Sequence, residues 1–193
     1  MQAVIISVVL AVSMLTAGPG AQSREEADRA TAIRVFNRRV ETYMALHRRL
    51  EGPLPPMTVT GDTWSMSVAR RYLAAAIRAA RQKARQGDLF SPDVALVFRH
   101  IVAEALSGRD VEALLTELNE EHPWMHGLHP VVNEPYPTGA SHAVPAVLLQ
   151  HLPGLPEDLE YRILDHDLVL WDLHADLVVD FVPFAFGGGP TTD

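Results

Sequence analysis

A chain of 193 residues with 16 basic and 24 acidic side chains, a net charge of −8 and no cysteine is sized for one domain held by its own core. At about this length a fold buries roughly 68–70% of the unfolded surface. The absence of thiols excludes disulfides, cysteine nucleophiles and zinc–thiolate sites, and the acidic balance without a recognised binding motif argues against nucleic acid as a partner.

Residues 1–22 carry no charged side chain. An apolar run from Ala3 to Thr16, interrupted only by Ser7 and Ser13, passes into Ala17-Gly18-Pro19-Gly20-Ala21, and a densely charged stretch opens at Arg24. That is the layout of a secretory signal peptide. Residues 1–22 are therefore expected to be removed, leaving residues 23–193 as a single soluble domain exported to the periplasm or beyond. The run is shorter than the about 20 apolar residues a membrane span requires, and no later segment is long enough. Leu15-Thr16-Ala17-Gly18 resembles a lipoprotein cleavage box with glycine in place of the cysteine, so no lipid anchor is expected.

Four helices are predicted. Ser23-Arg24-Glu25-Glu26 reads as a capping box, and Ile33, Phe36, Val40, Tyr43 and Leu50 follow at helical spacing. His47 sits on that apolar stripe four positions after Tyr43, which reads as a hydrogen-bonded core histidine. Gly52-Pro53 ends the helix. The second helix is placed from about Trp64 to Gln86, with Met66, Ala69, Leu73, Ala76, Ile77 and Ala80 inward and Gly87 as its stop. The third begins at Ser91-Pro92-Asp93 and buries Val94, Phe98, Ile101 and Ala105. The fourth is a short one from Asp110 to about Glu121. The proline-rich stretch from His122 to Gly139 reads as irregular, followed by a short helix around Ala146–Leu152.

The periodicity then changes. Leu159–Leu164, a turn at Asp165-His166-Asp167 and Leu168–Asp172 predict a β-hairpin with Tyr161 and Ile163 on one face and Glu160 and Arg162 on the other. From Trp171 to Phe181 apolar and polar residues alternate, which predicts one further strand. A frayed tail is expected from about residue 187. The fold class is α+β: a mostly helical N-terminal part with a small C-terminal antiparallel β-hairpin or three-stranded sheet.

Charge is unevenly distributed. Residues 23–86 hold 13 of the 16 basic side chains against 6 acids, and residues 87–193 hold 3 against 18. The two halves are expected to pair within the domain. The basic face of the second helix (Arg70, Arg71, Arg78, Arg81 and Arg85) is the place for an anionic or protein partner if it is left uncovered. Two groups have the residue types of a metal centre. One is His122, His126 and His129, whose helical spacing is undercut by Pro123, Gly127 and Pro130. The other is Asp172, His174 and Asp176, which on a continuous strand would share one face. No nucleophile–base constellation, phosphate loop or dinucleotide fingerprint is present. A non-enzymatic interaction or binding module is the leading expectation. A metal-dependent enzyme using Asp172, His174 and Asp176 or the His122–His129 loop is the alternative.

Two stretches carry a resemblance. Leu73–Arg81, continuing through Gln86–Asp93 to Phe98-Arg99, is one; Leu152–Arg162, continuing through Asp167–Asp172 to Leu177–Pro183, is the other. Together they resemble a group of uncharacterised exported bacterial proteins. The resemblance implies bacterial origin, export and one domain, and brings no activity, cofactor or site residue with it.

Overall fold

The computed structural model describes residues 19–54, 63–109, 111, 115–116, 128–137 and 142–187. Most of the expected signal peptide, His122, His126 and most of the expected fourth helix lie outside the described residues. Of that helix, Val111, Leu115 and Thr116 are described and are helical.

Helix α1 spans Pro19–Glu51, starting one turn before the expected Ser23. Proline suits a first helical position because its missing N–H would find no intrahelical partner there. Phe36, Val40, Tyr43, Met44 and His47 are its buried stripe. Helix α2, Thr63–Ala80, turns Leu73 and Ile77 inward, and α3, Pro92–Ala105, does so with Val94, Phe98 and Ile101. Both pack on α1. At their centre Phe36 stacks on Phe90 with centroids 5.1 Å apart and meets Phe98 edge-on at 4.9 Å, spacings at which aromatic pairs attract beyond simple burial.

Helix α2 ends at Ala80 rather than at the expected Gln86. Just past its end the Asn133 side-chain amide donates to the Arg81 carbonyl at 2.9 Å, and further on the buried Asp180 carboxylate accepts the backbone N–H groups of Gly87 (2.9 Å), Leu89 (2.6 Å) and Phe90 (2.8 Å). These bonds draw the α2–α3 connection onto the sheet, with Gly87 at φ +92°, a conformation glycine adopts without penalty.

The C-terminal part is an antiparallel sheet in the order β1 (His142–Ala143), β2 (Leu159–Leu164), β3 (Asp167–Asp172) and β4 (Leu177–Val182), with a short helix α4, Ala146–Leu149, after β1. Strands β2 and β3 pair from Leu159↔Asp172 to Leu164↔Asp167. Their two-residue turn places Asp165 at φ +52°, a region aspartate tolerates better than most residues. Tyr161, Ile163, Leu168, Leu170, Leu177 and Val179 face the helices in the main core. Leu164, Val169, Trp171 and Val178 form a second cluster with Tyr136 on the opposite face. Glu160 pairs with Arg162, and Arg162 lies over the Trp171 ring, so the hairpin presents its side chains as the alternation requires. Every residue of β3 is buried, because the helices cover one face and the 128–137 segment the other. The fold is α+β, with the helical and sheet parts in the expected order.

One expected element is interrupted. The strand read across Trp171–Phe181 is broken by a turn at residues 173–176. Asp172 Oδ1 accepts the Ala175 N–H at 2.8 Å, a side-chain cap that aspartate forms readily two or three residues ahead of itself. Asp176 sits at φ +53°.

Candidate metal centre

Tyr43, His47 and Glu51 are spaced by four on α1 and so share one helical face. Strand β3 brings Asp172 against them. Its Oδ2 accepts the Tyr43 hydroxyl at 2.5 Å and the His47 Nδ1–H at 2.7 Å, and its Oδ1 holds the β3–β4 turn. The turn then carries His174 back toward α1, where its Nδ1 lies 2.7 Å from Glu51 Oε1. The second Glu51 oxygen is 3.2 Å from His47 Nε2. Asp158, immediately before β2, places Oδ1 at 3.6 Å from His174 Nδ1. One donor atom each from His47, Glu51 and His174 lie within 4.8 Å of one another.

Burial grades across the cluster. His47 and Asp172 are wholly enclosed, whereas Glu51, Asp158 and His174 keep a partly open edge to solvent. Burial opposes charge on His47, but its hydrogen bond to Asp172 and the nearby charges of Asp172, Glu51 and Asp158 outweigh it and hold the imidazole above its ordinary value. Burial and the Asp172 carboxylate push the Tyr43 hydroxyl far up, so it serves only as a donor. An ionised carboxylate can only accept, which makes Nδ1 the protonated nitrogen of His47 and leaves Nε2 facing Glu51 and His174. A carboxylate behind a histidine, fixing its tautomer and orientation, is the arrangement that supports histidine ligands at metal centres.

The residues singled out in the sequence separate. Asp172 and His174 both join this cluster, on opposite sides of His47, but they do not share a strand face. Asp176 instead accepts the Trp171 indole N–H at 3.1 Å. His129 stands outside the cluster, its Nδ1 3.7 Å from Asp167 Oδ2. Two contributors, His47 and Glu51, come from the first helix. The signal available for them was a histidine on an apolar stripe with a glutamate one turn later, just before Gly52-Pro53.

The basic face of α2 also divides. Arg78 donates to the Asn133 carbonyl at 2.7 Å. Arg81 donates to the Asn133 side chain and the Val179 carbonyl and lies 5.0 Å over the Tyr43 ring. Arg85 approaches Asp88 at 3.9 Å. Arg70 and Arg71 are exposed and form no ion pair among the described residues. Carbonyl oxygens exposed at the strand edge and in the 128–137 segment thus take the place of the carboxylates expected to neutralise this face.

Fold and site define an α+β protein in which an enclosed carboxylate–imidazole pair backs a partly open His–Glu–His cluster. No family model, curated protein or solved structure matches the chain.

Proposed function

We propose that this protein is an exported binding module whose ligand is a divalent transition-metal ion held by His47 Nε2, Glu51 and His174 Nδ1. The observation that carries this reading is the convergence of those three donors within 4.8 Å, with the other nitrogen of His47 engaged by Asp172 at 2.7 Å. Mixed imidazole and carboxylate donors suit zinc and its first-row neighbours better than calcium, which takes six to eight oxygens. Elemental analysis of the full chain, recovered from the compartment to which it is delivered and passed over a desalting column, tests it. About one zinc, nickel or cobalt ion per chain supports the reading, and metal at trace level contradicts it.

A metal-dependent enzyme is the second reading, favoured by the partial exposure of Glu51 and His174, which would admit a substrate. It requires a metal-bound water that exchanges with solvent.

Export accounts for the apolar leader. Residues 23–28 are exposed, and Ala32 is the first buried residue among those of α1 whose burial is described, so the segment next to the expected cleavage point takes no part in the core. The mature N-terminus is placed between Gly18 and Ser23. Intact-mass measurement of exported protein tests this, and a retained Met1 would contradict it. Among the described residues no helix is long and apolar enough to cross a membrane.

A further inference from the structure

We infer that Asp158 is a fourth ligand, closing the centre into a tetrahedral site that ties α1 to the sheet rather than leaving a position for substrate. This deepens the reading of His47, Glu51 and His174 as ligands and rests on it.

The spacing is the first argument. For bonds of about 2.0–2.2 Å, neighbouring donors of a tetrahedral zinc site stand roughly 3.3–3.6 Å apart. His47 Nε2 to Glu51 Oε2 is 3.2 Å, and His174 Nδ1 to Asp158 Oδ1 is 3.6 Å; Asp158 lies beside the three donors that are mutually within 4.8 Å rather than among them, so its carboxylate has to turn inward to complete the site. The Glu51–His174 contact of 2.7 Å is shorter, at hydrogen-bond length, and opens by a rotation of one carboxylate.

The backbone holds Asp158 in place. The carbonyl of Asp158 accepts the Leu173 N–H at 2.9 Å, so the residue leading into β2 and the turn carrying His174 are joined beside the site. The backbone therefore brings Asp158 to the edge of the site, and only its side chain has to turn. Its side chain, like that of Glu51, is about a quarter exposed (23% and 25%), so both stand at the same open edge.

Charge is the third argument. Two neutral imidazoles and the carboxylates of Glu51 and Asp158 balance a dication, giving an electroneutral set in a half-enclosed place. Three carboxylates, those of Glu51, Asp158 and Asp172, otherwise converge on two imidazoles.

The connectivity shows what a closed site does. Its ligands come from the end of α1, from the residue before β2 and from the β3–β4 turn, elements separated by more than a hundred residues between Glu51 and Asp158. A chain with no cysteine cannot join them by a disulfide, and a structural metal is the other common cross-link.

Cobalt(II) titration of the chelator-stripped full chain, followed by visible absorbance, tests this. The wild type is expected to give the intense bands of tetrahedral cobalt. Asp158→Asn, checked by circular dichroism, is expected to give the weak bands of a higher-coordinate, water-bearing ion and to bind at least about 10-fold more weakly. Zinc at about 100 times its Kd should raise the wild-type Tm by about 5–10 °C, and the variant's by about half as much or less at the same zinc concentration. Equal affinity and an unchanged spectrum in Asp158→Asn would overturn the role of Asp158 and leave the three-ligand centre standing. Absence of cobalt binding by the wild type would overturn the centre itself. If the variant does not fold, added azide decides on the wild type: tetrahedral bands that azide leaves unchanged support four protein ligands, and bands that azide shifts reveal a displaceable water and contradict them.

Discussion

His47 and Asp172 are 125 positions apart in the chain, yet His47 Nδ1 lies 2.7 Å from Asp172 Oδ2 with both side chains wholly buried. The contact joins the first helix to the central strand, and it selects which imidazole nitrogen faces the cluster. A histidine backed in this way is positioned before any ligand arrives.

Asp172→Asn should separate orientation from simple packing. The amide keeps the volume but loses the charge that holds the Nδ1 proton. Metal affinity should fall by about 10–100-fold, read by competition with a chromophoric chelator. Tyr43→Phe removes only the hydroxyl donor at 2.5 Å. It should cost about 1.5–3 kcal/mol in denaturant unfolding while metal stoichiometry stays at wild-type level.

Acidity should act in opposite directions on the metal-free and metal-loaded protein. The folded state holds His47 above its ordinary 6.5. The stabilisation from its protonated form is therefore fully present below that value and is lost as pH rises through the folded value. Metal must displace the proton on Nε2, so occupancy and the stabilisation that follows it grow with pH. Thermal melts at about pH 5.5 and about pH 8, with chelator and with zinc, should show the two trends crossing. Parallel trends in both conditions would contradict the shared use of Nε2.

Asp180→Ala should loosen the α2–α3 connection. Three backbone donors, Gly87, Leu89 and Phe90, lose their acceptor, each at a cost of about 1–3 kcal/mol where it stays buried. Hydrogen exchange should accelerate at residues 87–90 ahead of the sheet. Unchanged protection there would show that the connection is held by other contacts.

Phe98→Ala removes the ring that meets both Phe36 and Phe90 at 4.9 Å. A loss of about 3–5 kcal/mol is expected from urea unfolding. A loss below about 1 kcal/mol would mean that the three helices do not share this core.

The sheet was the most legible part of the sequence because strand signals are local. Alternation through Leu159–Leu164 and Leu168–Asp172 defines the hairpin and its faces, but the turn expected over Asp165-His166-Asp167 is one residue shorter, because Asp167 pairs with Leu164 and begins β3. The same alternation misled beyond Trp171, where Leu173 and Ala175 keep the period of two while the Asp172 carboxylate caps a turn. The end of α2 was hidden for a related reason: the groups that bond the chain just beyond it, Asn133 and Asp180, come from about 50 and 90 residues further along the sequence. The centre was half legible. His47 was visible as an interruption of an apolar stripe, and Asp172 and His174 as a polar pair. Their meeting depends on α1 crossing β3, which no spacing within either segment encodes.

The central claim is that His47, Glu51 and His174 hold one metal ion. Zinc titration of the chelator-stripped full chain by calorimetry near neutral pH, in parallel with His174→Ala, tests it most directly. The account predicts one site per wild-type chain, with proton release on binding and a loss of at least about 10-fold in affinity in the variant. No saturable binding by the wild type, or binding that His174→Ala leaves intact, would contradict it.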